Sequence, residues 1–288
     1  MRAQKSKRQI MQLTVLVDNN TIIDRYYLAE PAVSYLICDD DIKILFDVGY
    51  SDIFIKNAQK MSESLLDINH VVISHGHNDH TGGLVPLAKF YSEAKAQNIK
   101  YINPTVVAHP DAFLYKEYSG DDIGSILDSK KINKYFSTQL TKDPLWLTDK
   151  IVFLGEIERS NDFENIEPVG QCEQSNTMVD DYLKDDSALV YKSTQGLVIV
   201  TGCSHAGICN IIEYAKKVCG DDRIADVIGG FHLINPSKIQ SEGTLKYFHE
   251  QEIPNIHPCH CTSLEYKISL SKSNNVLDVG VGLSLDFQ

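Results

Sequence analysis

His75, His77, Asp79 and His80 fall within six positions, in the run His-Val-Val-Ile-Ser-His-Gly-His-Asn-Asp-His-Thr-Gly-Gly over residues 70–83. Three imidazoles and a carboxylate so close together are ligands for a divalent cation. Without an ion the same cluster would desolvate several imidazoles beside one carboxylate, a costly arrangement. His205, in Gly202-Cys203-Ser204-His205-Ala206-Gly207, and His260, in the segment 254–262, offer two further ligands. With two ions, the natural division is His75, His77 and His205 on one and Asp79, His80 and His260 on the other. Imidazole and carboxylate donors suit zinc first, with iron and manganese compatible. A water between two ions is acidified from about 15.7 towards about 7 in the favourable zinc case, and the hydroxide so formed attacks an ester, phosphoester or amide centre. Asp79 could ligate one ion while its free oxygen orients or accepts the proton.

Other residues earn weaker readings. His232, after the paired Gly229-Gly230, is a candidate catalytic residue, whereas His249 and His257 receive no role. Asp47, before Gly49, either orients a ligand histidine from behind or caps the following helix; we favour the first. Pro258-Cys259-His260-Cys261 looks like part of a zinc finger, but it lacks the second, suitably spaced pair that a structural site requires.

These residues need elements that bring them together. Apolar runs predict strands over 13–17, 34–38, 42–46, 70–74, 105–108, 151–154, 188–192, 197–201, 226–231 and 276–279. Helices are predicted over 53–61, 84–96, 208–218 and 244–251. The candidate ligands follow strand ends, and strand ends gathered along one sheet edge can converge. Strands and helices alternate through both halves, so helices should cover two sheets packed in the middle. The reading is one α/β (α+β) domain over residues 1–288 with αββα layering. Residues 110–150 are polar, tyrosine-containing and weakly periodic, and are expected to form a lid or rim, or else a plain surface insertion.

Bulk properties fit this picture. A hydrophobic share of 43% is enough for a substantial core, and a net charge of −12 argues against unaided binding to nucleic acid. Arg2, Lys5, Lys7 and Arg8 precede no long apolar stretch, so no secretory signal is expected. No window approaches the ~20 apolar residues that span a bilayer. Seven cysteines with no export signal read as reduced thiols. The expectation is a cytoplasmic protein acting on a small molecule, without nucleic-acid or membrane partners.

Ser74-His75-Gly76-His77-Asn78-Asp79-His80-Thr81-Gly82-Gly83 resembles the HxHxDH signature of the metallo-β-lactamase-fold hydrolase superfamily. Phe46-Asp47-Val48-Gly49 resembles its first motif, residues 202–207 its third, and His260-Cys261-Thr262 its last. The resemblance runs from about Leu13 to Leu285 and implies a four-layer αββα sandwich with a dinuclear site at one edge. Ala29-Glu30, residues 156–164, Asp185 to Val190, and Gly229-Gly230-Phe231-His232-Leu233 are similar to a narrower group. That group is related to the 7,8-dihydropterin-6-methyl-4-(β-D-ribofuranosyl)aminobenzene-5′-phosphate synthases. Two departures stand out. The bridging Asp of most dinuclear members is replaced by His232, which leaves open one ion held firmly and a second held weakly. Glu30-Pro31-Ala32 also lacks the histidine usual in the subgroup.

The leading expectation is a metal-dependent hydrolase that uses a metal-bound hydroxide on a small phosphorylated or ester substrate. The runner-up is a dihydropteroate-synthase-like transferase that condenses a pterin with an aminobenzene ribosyl phosphate. A di-iron redox protein is a third reading, without a visible flavin or electron-carrier domain. A β-lactamase proper is disfavoured for want of an export signal, while lactone hydrolysis suits the same core.

Overall fold

Successive strand residues point to opposite faces, and here both faces are apolar. In Ser34–Asp39, Tyr35 and Ile37 enter one core while Leu36 enters another. In Ile42–Phe46, Ile44 and Phe46 take the first side and Leu45 the second. Strands Ala188–Ser193 and Gly196–Thr201 divide the same way: Leu189, Tyr191, Val198 and Val200 share the core of Tyr35 and Phe46, whereas Val190, Leu197 and Ile199 face away. Near-continuous hydrophobic strands of this kind belong to sheets buried on both sides.

The computed structural model describes residues 10–288, so Arg2, Lys5, Lys7 and Arg8 lie outside the described residues. Among those described, a seven-stranded sheet has the order Ser284–Phe287, Met11–Val17, Ser34–Asp39, Ile42–Phe46, His70–Val72, Thr105–Ala108 and Ser137–Leu140. A six-stranded sheet has the order Ile256–Cys259, Ile224–Gly230, Gly196–Thr201, Ala188–Ser193, Ile151–Phe153 and Leu145–Trp146. Their inner faces meet in one core. Helices Ile53–Met61 and Leu84–Ala96 cover the outer face of the first through Phe54, Leu84, Leu87 and Tyr91. Helices Ile208–Cys219 and Lys238–Gln251 cover the second through Ile208, Ile211, Ile212 and Phe248. The layers are therefore helix, sheet, sheet, helix.

Each sheet has a parallel half. Strands 42–46, 70–72, 105–108 and 137–140 run parallel, as do 196–201, 224–230 and 256–259. Open α/β sheets bind ligands outside the carboxyl ends of such strands. Asp47, His75, His205, His232 and His260 all lie just beyond those ends.

Two sequence expectations are revised. The stretch 276–279 is not a strand: Val276 bridges Ile256 and Val281 bridges Thr21. This segment crosses from the edge of one sheet to the other, so no neighbour stays beside it long enough to build a ladder. The last long helix begins at Lys238, not 244, capped by the Ser237 side chain accepting from the Gln240 N–H. Its Gly243 hid the helical pattern, and that glycine packs against the Phe163 ring, where a Cβ would sit 2.4 Å from a ring carbon.

The segment 110–150 also divides. Phe113, Leu127, Ile132 and Phe136 join the helix-covered core of the first sheet. Strand 137–140 extends that sheet's edge, and Trp146 sits at an edge of the other with Lys192 5.8 Å from its ring centre. Only Lys116–Tyr118 and Asp121–Asp122 leave the core, pairing with Gln171–Gln174 and Thr177–Asp180 in a small four-stranded sheet. Weak periodicity reflected short elements docking in several places. Among the described residues no helix is long and apolar enough to cross a membrane.

Candidate metal centre

His75 leaves strand 70–72 fully buried, and His77 caps the short helix Asn78–Thr81 with extended backbone. His205 arrives from the second sheet, in the loop after Gly196–Thr201. The three rings stand edge-on to one another, with centroids 4.6 Å apart for His75 and His77 and 4.8 Å for each of these with His205. Nε2 of His75, Nε2 of His77 and both ring nitrogens of His205 are buried and have no hydrogen-bond partner among the described residues. Each such nitrogen would cost about 1–3 kcal/mol if nothing satisfied it. Burial pushes His77 down to about 4 and His75 and His205 well below the usual histidine value, so the rings are neutral. Three neutral imidazoles with converging free nitrogens fit a divalent cation.

A second cluster lies alongside. Ligand atoms of Asp79, His80, Cys203 and His260 are all within 4.8 Å of one another. Asp79 Oδ2 is 3.3 Å from His260 Nε2 and 3.5 Å from His80 Nε2, and the latter is 3.2 Å from Cys203 Sγ. Burial opposes the charge on Asp79, but His80 and His260 hold its carboxyl well below the usual range. Burial likewise opposes a charged His80, and Asp79 with Asp47 overcome it and raise that ring well above its ordinary value.

Partners behind the rings fix which nitrogen is free. Asp47 Oδ2 takes a hydrogen bond from His80 Nδ1 at 2.7 Å, and accepts from the Ser74 hydroxyl at 2.7 Å. Its other oxygen accepts from the Ser74 N–H at 2.7 Å. Because the Ser74 hydroxyl donates to Asp47, it accepts from His75 Nδ1 at 3.0 Å. His260 Nδ1 lies 3.2 Å from Asn19 Oδ1, and the His260 N–H donates to Asp18. In each case Nδ1 is engaged and Nε2 faces the cluster, as outer partners of metal-binding histidines arrange. Asp47 thus sits behind His80, while the N-cap position of the helix after it is held by Asp52, whose side chain makes no capping bond. Gly202 makes the approach possible: a Cβ there would lie 2.2 Å from Ser74 Oγ and 2.9 Å from Asp47 Oδ2.

A pair of buried aspartates ties the two ligand loops together. Asp185 accepts from the Gly76 N–H, between His75 and His77, at 2.8 Å. Asp186 accepts from the Ala206 N–H, beside His205, at 2.8 Å, and burial raises its carboxyl to about 7. Lys116, 1% exposed, bridges Asp185 at 2.9 Å and Asp181 at 2.7 Å, joining the small sheet to the His75–His77 loop. Burial would raise Asp185, but Lys116 holds it below its usual value. Asn165 donates to the His205 carbonyl, and Glu164 accepts the N–H groups of Cys209 and Asn210 at the start of helix 208–219.

Above the clusters is a cavity of about 750 Å³, lined by His77, Asp79, His205 and His232 on its floor and by Tyr118, Ile123 and residues 165–169 on its walls. The His232 ring is tilted against His205 with centroids 4.1 Å apart, and its Nδ1 has no partner among the described residues. Burial disfavours a charge on His232, yet Cys261, Asp186 and Asp79 together raise it above the usual value. Of the segment's tyrosines, Tyr118 reaches this cavity, whereas Tyr135 lines a groove with Val85 and Leu127. His249 and His257 are remote from it, His257 being paired with Asp226 at 2.8 Å.

The six candidate ligands come together in two groups, of which His77, Asp79 and His205 line this cavity. Cys203 was missed. Its signal was a Cys-x-His spacing, two residues before His205, which the cysteine count obscured. Lys116, Asp185, Asp186 and Asn19 were assigned no role either, because their partners lie far away in sequence.

Comparison with known proteins agrees with this architecture. Residues 28–158 match the sequence profile of the metallo-β-lactamase superfamily. An uncharacterized protein of Methanocaldococcus jannaschii is 32% identical over 271 residues, covering 94% of this chain and 98% of that one. The 7,8-dihydropterin-6-methyl-4-(β-D-ribofuranosyl)-aminobenzene-5′-phosphate synthase of the same organism is 29% identical over 77% of this chain and 76% of its own. A solved metal-dependent hydrolase of the β-lactamase superfamily superposes with a TM-score of 0.79 at 28% identity, covering 96% of this chain and 98% of that chain.

Proposed function

The chain belongs to the metallo-β-lactamase superfamily, and from that premise we propose that it is a zinc-dependent hydrolase of a small ester or phosphoester. The carrying observation is the set of buried nitrogens on His75, His77 and His205 that have no partner among the described residues, with His77 and His205 lining a cavity of about 750 Å³. Divalent ions held by His75, His77 and His205 and by Asp79, His80 and His260 would supply Lewis acidity and an acidified water. The protein's own residues do the rest. Asp79, ionised and at the cavity floor, accepts and orients a proton. His232, which lines the cavity and is raised above its ordinary value, donates a hydrogen bond or a proton to the oxygen that leaves. Tyr118, Ile123, Ile166 and Val169 exclude water and hold the body of the substrate.

Among the described residues lining the cavity none is lysine or arginine. A phosphoryl charge would thus be met by ions, imidazoles and neutral donors such as Asn165, Asn235 and Gln240, so carboxylic esters and lactones suit the walls as well as phosphoesters. The test is a panel of phosphomonoester, phosphodiester, lactone and thioester substrates, run with anaerobically purified protein of known metal content. Hydrolysis of one class, lost on chelation, restored by metal and lost in His77→Ala, is expected. No turnover by fully loaded protein across the panel would count against the reading.

The synthase similarity supports a second reading, a transferase joining a pterin to an aminobenzene ribosyl phosphate. Tyr118 beside Ile123 and Ile166 offers a face for a planar ring. Saturable binding of a pterin pyrophosphate and a coupled product by mass spectrometry would favour it; hydrolysis alone would favour the first.

A further inference from the structure

We infer that Cys203 is itself a metal ligand, its thiolate completing a mixed sulfur, oxygen and two-nitrogen donor set with Asp79, His80 and His260. This rests on the metal centre of the proposed function but not on which reaction it performs.

Four observations carry it. Cys203 Sγ lies 3.2 Å from His80 Nε2, the nitrogen left free once Asp47 engages Nδ1. Its ligand atom is within 4.8 Å of those of Asp79, His80 and His260. It is 4% exposed, so the sulfur faces that cluster and not solvent. Finally, the carboxylate that would bridge two ions is missing: strand Ile224–Gly230 delivers Phe231 and His232, and the His232 ring packs on His205 in the other cluster.

The backbone around Cys203 is built for this approach. Gly202 lets it pass under Ser74 and Asp47, and Ser204 follows with a φ of 58°, turning the chain so that Cys203 and His205 serve different clusters. Gly230 allows the crossing from the other side, since a Cβ there would lie 2.6 Å from the Gly202 carbonyl oxygen. One loop thereby feeds both clusters.

Charge explains why a thiolate suits this place. Asp79 and Cys203 together match a dication, whereas the three-histidine cluster contributes no charge. On binding, the Cys203 thiol exchanges its proton for the metal–sulfur bond; the proton leaves to solvent, and no electron is transferred. A soft sulfur donor selects zinc, iron or cobalt over magnesium, calcium and manganese. Cys261 is the rival sulfur. It accepts the His232 N–H at 3.3 Å and lies 3.4 Å from the Cys203 carbonyl oxygen, outside the donor set.

The test uses full-length protein loaded anaerobically with cobalt(II). A near-ultraviolet thiolate-to-cobalt charge-transfer band is expected in the unmodified protein and in Cys261→Ser, and lost in Cys203→Ser. Ligand-field bands from the three-histidine cluster should persist in all three. No band in the unmodified protein, a band surviving in Cys203→Ser, or one lost only in Cys261→Ser overturns the assignment. Should Cys203→Ser fail to fold, X-ray absorption on the zinc-loaded unmodified protein decides: a sulfur shell at about 2.3 Å supports it, and only nitrogen and oxygen scatterers overturn it. These spectra are read without any substrate, so a failed hydrolase screen leaves them intact, and a successful screen does not rescue them.

Discussion

The two donor clusters sit side by side but behave as opposites before any ion arrives. In the first, His75, His77 and His205 present buried nitrogens that have no partner among the described residues. In the second, Asp79, His80, Cys203 and His260 already contact one another at 3.2–3.5 Å. The first presents lone pairs on loops tied down by the distant Asp185 and Asp186. The second is a hydrogen-bonded network in which a cation must displace protons. On the proposed function, the three-histidine cluster would be the metal anchor and the mixed cluster its adjustable partner.

Breaking the anchor should have the largest effect. His205→Ala removes a ligand of the first cluster, and kcat should fall roughly a thousandfold, about 4 kcal/mol of lost transition-state stabilisation. Elemental analysis should show that cluster's equivalent gone; retention of both equivalents with full activity would remove the anchor from the comparison.

Next is the support of the anchor. Lys116→Ala leaves Asp181 and Asp185 buried without a cation, which should destabilise the fold by about 3–5 kcal/mol in urea unfolding. The sign with pH follows from Asp185, whose folded value lies below its ordinary 3.8. Its contribution is present above that ordinary value and is lost as pH falls through the lower, folded one. The gap between variant and unmodified protein should therefore narrow in acid. A gap that is small at neutral pH, or widens in acid, would show that Lys116 does not hold the loop.

Asp47→Asn sharpens the contrast from the other side. It should weaken metal binding at the mixed cluster by about 10–100-fold and at the three-histidine cluster by less, because Asp47 bonds His80 directly but reaches His75 only through Ser74. Equal weakening of both, by competition titration with a chelator, would mean the clusters are one unit. The smallest effect belongs to the rim: Tyr118→Ala should raise KM about fivefold, about 1 kcal/mol, with kcat unchanged. A change in kcat instead would place Tyr118 in the chemistry.

The helix and strand pattern was legible because it is local. Helices 53–61 and 84–96 match their predicted limits, and the inner strands are close to theirs. Where the reading failed, a longer-range effect intervened. Residues 276–279 lost their ladder by crossing between sheets.

The sequence by itself determined the donor types, their clustering at 75–80, and their placement after strands. A spacing of two or three residues controls where a side chain emerges, and that needs no distant partner. Only the tertiary structure decided that Cys203 joins His80, 123 positions away, and that Asp185 grips Gly76 across 109. Those contacts exist because the inner faces of two separately written sheets dock against each other. The docking energy is spread over Tyr35, Phe46, Phe153, Val198 and their neighbours, none of which names the residues it brings together at the edge.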